Sequence, residues 1–208
     1  MLLATSSAMA EVNIIPKPTK VVEGTGTFRL TDGQTIGFNN AAIKDAAYYL
    51  RRILTRATGY NKIKVRQGQG QISLVMQTPR NDKDESYTLS VTGKKVTIKA
   101  KSYRGIVNGI ASLRQLLPDE IEKREVATGV DWTVPAVEIY DKPAYHWRGL
   151  MLDPSRHFYS VEETERFLDH MALYKYNKFH WHLIDGVGWR IQINKYPLLT
   201  EKGAWREF

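Results

Sequence analysis

HWRGLMLD (residues 146–153) and FHWHLID (residues 179–185) decide the fold. Each is a near-continuous apolar run closed by an aspartate, the pattern of a strand buried on both faces in a parallel sheet. Between them, Ser160 is followed three residues later by Glu163, which makes a capping box. Phe167, Leu168, Met171 and Tyr174 then fall on one helical face. Strand, helix, strand, with a connection long enough for a right-handed crossover, is the opening βαβ unit of a parallel α/β fold. In an α/β barrel the loops at the carboxyl ends of the strands build the active site. Asp153, Arg156 and His157 follow the first strand, while Asp185 ends the second with Trp189 and Arg190 close behind. Groups from two adjacent strands are thus expected to converge on one ligand.

Upstream the grammar differs. IPKP is extended by its prolines, and TFRL and QTIGF flank the turn Thr31-Asp32-Gly33 as an expected hairpin. From Ala41 to Ala57 apolar residues recur at three and four, with Asn40 as cap and Gly59 as exit. ISLVM (72–76), YTLSV (87–91) and VTIKA (96–100) read as strands, the last two as a hairpin through Thr92-Gly93-Lys94-Lys95. Ser102 caps a second helix that Pro118 ends. These elements define an α+β domain: a mostly antiparallel sheet with two helices on one face. Asp119–Val134 is charged and irregular, and Asp141-Lys142-Pro143 punctuates again, so the boundary falls here. The expected organisation is a signal-peptide remnant (1–10), the α+β domain (11–141) and the start of an incomplete (β/α)8 TIM barrel (142–208). A complete barrel takes about 250 residues, so the part after Pro143 holds about two of eight units. Its open edge and uncovered apolar face are expected to promote self-association.

Composition excludes several classes. Lys+Arg outnumber Asp+Glu by 30 to 22, a formal charge of +8. The basic residues are scattered without a run of five, which argues against nucleic-acid binding. With no cysteine, disulfides and thiolate chemistry are excluded. MLLATSSAMA ends in Ala8-Met9-Ala10, an A-x-A cleavage pattern that leaves Glu11 first, although a basic n-region is missing. Export to the periplasm or the medium is the expectation. No stretch approaches the roughly twenty apolar residues of a span, so no membrane insertion is expected.

Each candidate has a plainer alternative. His180 and His182 point the same way along a strand, but a metal needs further ligands and none is spaced for it. No metal is expected, and both are read as hydrogen-bonded core histidines. Trp181 is read as packing, and Trp189 as either core or a sugar-stacking wall. Asp185, closing a buried strand, must be paired or functional. Spacing alone leaves Arg156 open between ion-pair partner and ligand-binding group. Asp84-Glu85 and Asp119-Glu120 are adjacent carboxylates in turns, expected to be solvated.

RGLMLDPSRHFYSVEETERFLDHMALYKYNKFHWHLIDGVGWRIQINKYPLLTEKGAW closely resembles the start of the catalytic barrel of β-N-acetylhexosaminidases, the family 20 glycoside hydrolases. IPKPTKV, SYTLSV, VTIKA and GIASLRQLL resemble the small domain that precedes that barrel. The resemblance implies that Arg156 holds ring hydroxyls of the terminal sugar. It also implies that Asp185 belongs to a carboxylate–histidine relay that tunes the general acid. The family's D-D-Q stretch is here Asp185-Gly186-Val187, a departure that leaves only the first carboxylate. By the same resemblance the 2-acetamido oxygen of the substrate attacks the anomeric carbon, an aspartate orients it, and the neighbouring glutamate serves as acid and base. That pair lies in a G-D-E context absent from these 208 residues, so the chain alone is expected to be inactive. Neither metal nor organic cofactor is implied, and the implied partners are glycans ending in N-acetylglucosamine or N-acetylgalactosamine. A non-catalytic carbohydrate-binding or interaction module is the alternative.

Overall fold

The computed structural model describes residues 12–186 and 188–205, so the expected signal remnant lies outside the described residues. The chain divides into two units, Met1–Ala144 and Tyr145–Phe208. In the first, β1 (Lys20–Arg29), β2 (Thr35–Phe38), β3 (Lys64–Gln67), β4 (Ile72–Met76), β5 (Tyr87–Val91), β6 (Val96–Ala100) and β7 (Thr133–Asp141) form one sheet in the order β1-β7-β5-β6-β4-β2-β3. The helices are α1 (Lys44–Thr58) and α2 (Tyr103–Leu116).

The α+β class stands, with α1 and α2 in contact with each other and with the sheet. The sheet is evenly mixed, however. β1–β7, β7–β5 and β5–β6 pair antiparallel; β6–β4, β4–β2 and β2–β3 pair parallel. The parallel half arises because α1 carries the chain from β2 to β3, a crossover that leaves the two strands in one direction.

Two expectations fail here. The segment around Thr31-Asp32-Gly33 turns, but it makes no hairpin: β1 goes to β7, and β2 lies between β3 and β4. All four residues of β2 are buried, and burial on both faces requires neighbours that a two-stranded ribbon lacks. The stretch 119–134, expected to be irregular, runs into β7 at Thr133. Thr133–Asp141 is a strand with a partner on each side, and Trp132 just before it is buried.

Local rules hold where the chemistry is strong. Asn40 Oδ1 accepts from the Ala42 backbone N–H, and Ser102 Oγ accepts from that of Gly105. Gly59 closes α1 at φ 70°, a left-handed conformation that glycine adopts without steric cost. A side chain at Gly105 would overlap the Ser86 carbonyl, and one at Gly109 would overlap Ile98, so these glycines let α2 lie close on the sheet. Ile36, Leu74, Leu89, Ile98, Ile106 and Ile110 are fully buried in the resulting core.

A buried polar group closes this unit. The Tyr87 hydroxyl lies 2.5 Å from Ser112 Oγ and donates to Asp141 Oδ2 at 3.1 Å. Asp141 Oδ1 accepts from the Thr19 backbone N–H and hydroxyl. Burial, reinforced by the Asp141 charge, pushes the Tyr87 hydroxyl well above its ordinary range, so it remains a donor at every working pH. Tyr87→Phe is expected to cost about 1–3 kcal/mol in urea unfolding, because it leaves a buried carboxylate short of a donor. A midpoint equal to that of the parent would contradict this.

The second unit contains β8 (Gly149–Leu152), α3 (Val161–Leu173), β9 (Lys178–Trp181) and α4 (Leu198–Glu201). β8 and β9 pair parallel, Gly149 opposite Lys178 and Leu152 opposite Trp181. The capping box at Ser160 and Glu163 is complete in both directions. Phe167 of α3 meets Phe179 of β9 at 5.9 Å, placing the helix over the face that carries Phe179 and Trp181. The strands are largely exposed rather than buried on both faces, with Met151 at 55% and Trp181 at 49%. Two strands and one helix cannot cover both sides of a sheet. Trp181 is accordingly a half-exposed ring beside Phe179, not the packed core residue expected.

Candidate active site

Strand alternation sends His180 and His182 to the face opposite Phe179 and Trp181. Their rings stack with centroids 6.0 Å apart. In a barrel the helix-covered face is the outer one, so the histidines occupy the inner face. Neither is a core residue: His180 is exposed and His182 is partly so.

His182 meets the charged groups that follow both strands. Its Nε2 lies 3.0 Å from Asp185 Oδ2 and 3.1 Å from Arg156 Nη1. Arg156 Nη1 also reaches Asp185 Oδ2 at 2.6 Å and Asp153 Oδ2 at 3.0 Å. Asp153 Oδ1 accepts from the Arg156 backbone N–H, so the loop after β8 holds its arginine by main chain and side chain. One guanidinium therefore bridges the carboxylates that close two adjacent parallel strands. Arg156 and Asp185, the residues singled out from the sequence, are brought into direct contact.

Asp185 sits in an anion-stabilising setting. The Gly186 backbone N–H at 2.6 Å, the Arg156 guanidinium and the His182 bond hold its carboxyl below the usual aspartate value of 3.8. A depressed carboxyl contributes stability above its unfolded value, and that contribution is lost as pH falls through the folded one. Side-chain carboxyl NMR of this chain is expected to place the Asp185 midpoint below 3.8, and Arg156→Ala to move it upward. A midpoint that ignores Arg156 would break the electrostatic link.

The loop after β9 supports the loop after β8. Arg190 Nη1 donates to the Ala204 carbonyl at 2.7 Å and Nε to that of Pro154 at 3.4 Å, while its guanidinium lies 5.3 Å from the Phe158 ring centre. Gly188 has φ 71°, and a Cβ there would sit 3.0 Å from the Ser155 carbonyl oxygen. Trp189 is partly exposed, its indole N–H donating to the Ile191 carbonyl. His157 stays beside Tyr159, ring centres 5.1 Å apart, and joins none of these bonds.

His182 is the residue that sequence reasoning missed. Its signal was positional: three residues before Asp185, on the face opposite the helix contacts. Of the other acidic pairs, Asp84-Glu85 is not solvated as expected. Glu85 is buried, its carbonyl accepting from Asn108 of α2, and Asp84 takes the Ser86 backbone N–H and hydroxyl. Asp119-Glu120 lies in a short 3-10 turn with Asp119 exposed. Among the described residues no group of three His, Cys, Asp or Glu could hold a metal. No helix among them is long and apolar enough to cross a membrane.

A βαβ unit whose charged side chains gather past the carboxyl ends of its strands has the arrangement found at the rim of an α/β barrel. Residues 145–208 match the model of the glycosyl hydrolase family 20 catalytic domain, and residues 11–142 match domain 2 of that family. The chain belongs to glycosyl hydrolase family 20. It is 39% identical over 199 residues to a β-hexosaminidase of Porphyromonas gingivalis, covering 94% of this chain and 25% of that protein. A β-hexosaminidase of Vibrio furnissii is 36% identical, with 95% and 30% covered. Among solved structures, Streptomyces plicatus N-acetyl-β-hexosaminidase superposes with TM-score 0.77 at 40% identity, covering 91% of this chain and 38% of that one. The Vibrio harveyi exo-β-N-acetylglucosaminidase in complex with N-acetylglucosamine gives 0.79 at 31%, covering 92% and 28%. The chain thus spans between a quarter and two fifths of these relatives, and its second unit is the start of a (β/α)8 barrel.

Proposed function

We propose that the protein carrying these residues removes terminal β-linked N-acetylglucosamine or N-acetylgalactosamine from glycans by a substrate-assisted, retaining mechanism. The observation that carries the reading is the contact between Arg156 and Asp185 across two adjacent parallel strands, in a chain of this family. Arg156 is assigned to the hydroxyls of the terminal sugar: a guanidinium fixed between carboxylates keeps its orientation and gives charge-assisted hydrogen bonds. Asp185 is assigned to support a histidine of the acid–base relay. The acetamido oxygen of the substrate is the nucleophile, oriented by an aspartate, while a glutamate protonates the leaving oxygen and then activates water. That pair must come from outside these 208 residues, so the chain alone is assigned no turnover. The A-x-A pattern at Ala8-Met9-Ala10 supports export to the periplasm or the medium.

The test compares 4-nitrophenyl N-acetyl-β-glucosaminide with the plain glucoside on the full-length protein. Hydrolysis of the first alone is expected, since only it carries the internal nucleophile. Equal rates on both would end the substrate-assisted reading. The 208-residue chain is further proposed to self-associate through its exposed apolar strands. Sedimentation of a pure monomer, with uniformly strong amide protection beyond Pro143, would contradict that.

A further inference from the structure

The side of α1 turned away from the core carries the exposed Asp45, Tyr48 and Arg52, and Tyr49 stands at its margin, half-buried and packed against the core. Together they border an open groove of about 330 Å³. Solvated helix faces normally carry polar and charged groups; core packing accounts for Tyr49 but not for Tyr48. Tyr48 is 48% exposed, and Tyr103 at the start of α2 is 38% exposed. Burial, and after it the Asp45 charge, raises the Tyr103 hydroxyl above its ordinary range. Cations flank the groove: Lys44 Nζ is 6.0 Å from the Tyr48 ring centre and the Arg52 guanidinium 5.7 Å from that of Tyr49.

We infer that this patch is a second sugar site, in which the tyrosine rings stack on the apolar face of a pyranose while Asp45 and Arg52 bond its hydroxyls. The chemistry selects that occupant. Tyrosine joins an apolar face to a polar edge, as a sugar ring does. A carboxylate that accepts and a guanidinium that donates satisfy hydroxyls, which do both. Charges of both signs in one groove favour a neutral ligand over an ionic one. A protein partner fits less well, because covering Asp45, Arg52 and Lys44 would strand their charges. The groove volume lies at the low end of the roughly 300–1,000 Å³ typical of small-ligand sites. The site shares no residue with the Arg156 cluster and would hold a glycan rather than cut it.

The test is calorimetric titration of the 208-residue chain with chitotriose, a probe whose choice rests on the proposed function. Saturable binding with Kd on the order of 0.1–1 mM is expected. Tyr48→Ala is expected to weaken it at least about tenfold, Tyr48→Phe to retain it, and Lys94→Ala, in the exposed turn between β5 and β6, to leave it within about twofold. Tyr48 is exposed, so an unchanged denaturation midpoint certifies the fold of the variant. Absence of saturable binding up to about 10 mM, or binding indifferent to Tyr48→Ala, would overturn the site. So would binding that is lost in Arg156→Ala but kept in Tyr48→Ala, a result that would support the sugar role of Arg156. Conversely, binding that needs Tyr48 would stand even if the full-length protein hydrolysed nothing.

Discussion

Arg156→Ala in the full-length protein is expected to lower kcat/KM for a chromogenic N-acetylglucosaminide by roughly 10³-fold. Hydrogen bonds from a charged donor contribute about 1.5–3 kcal/mol each, and two bonds to sugar hydroxyls near 4 kcal/mol correspond to that factor. The variant also leaves Asp153 and Asp185 facing each other without the cation that bridges them. Arg156→Lys keeps the charge but loses the planar fork, and recovery of no more than about tenfold is expected. A steady-state assay of both variants decides the matter. Activity within tenfold of the parent for Arg156→Ala would reduce Arg156 to an ion-pair partner of two aspartates.

Leu89→Ala is expected to destabilise the first unit by about 2–5 kcal/mol, the range for deleting a fully buried leucine from a core that cannot collapse around the gap. Leu89 lies mid-strand in β5, opposite Ile98 on one neighbour and Ile139 on the other, all three buried. Both flanking strands are locked by their ladders, so relaxation is limited. Guanidinium unfolding should show a lower midpoint at unchanged slope. A loss below about 1 kcal/mol would mean that the core repacks.

The elements legible in the sequence were those with one dominant local cause. The strands 72–76, 87–91 and 96–100, the caps at Asn40, Ser102 and Ser160, and the exit at Gly59 follow from alternation and from backbone groups that need partners. β3 escaped because its lone inward residue, Val65, sits among Lys64, Arg66 and Gln67, so nothing marks it as apolar. β7 escapes because its approach, 119–134, reads as charged and irregular, whereas its pairing is set by β1 and β5, both distant in sequence. At the site, Arg156 and Asp185 were visible as charges beyond apolar strands. Their contact was not, because it depends on the parallel register of β8 and β9. His182 reads as core from the sequence because a near-continuous apolar strand implies cover on both faces. Glu85 was misjudged for the opposite reason: a turn on paper lies under α2 in space.

The sheet order has a bearing on how the molecule is made. β7 lies between β1 and β5, with Lys20 opposite Tyr140 and Tyr87 opposite Asp141. During translation β1 therefore leaves the ribosome without a neighbour, and β5 keeps a bare edge, until the chain has grown past residue 141. Such distant pairing slows folding and prolongs exposure of strand edges. A nascent chain stalled before Thr133 would hold an unfinished sheet, whereas one extended past Lys142 would have every strand needed to close it.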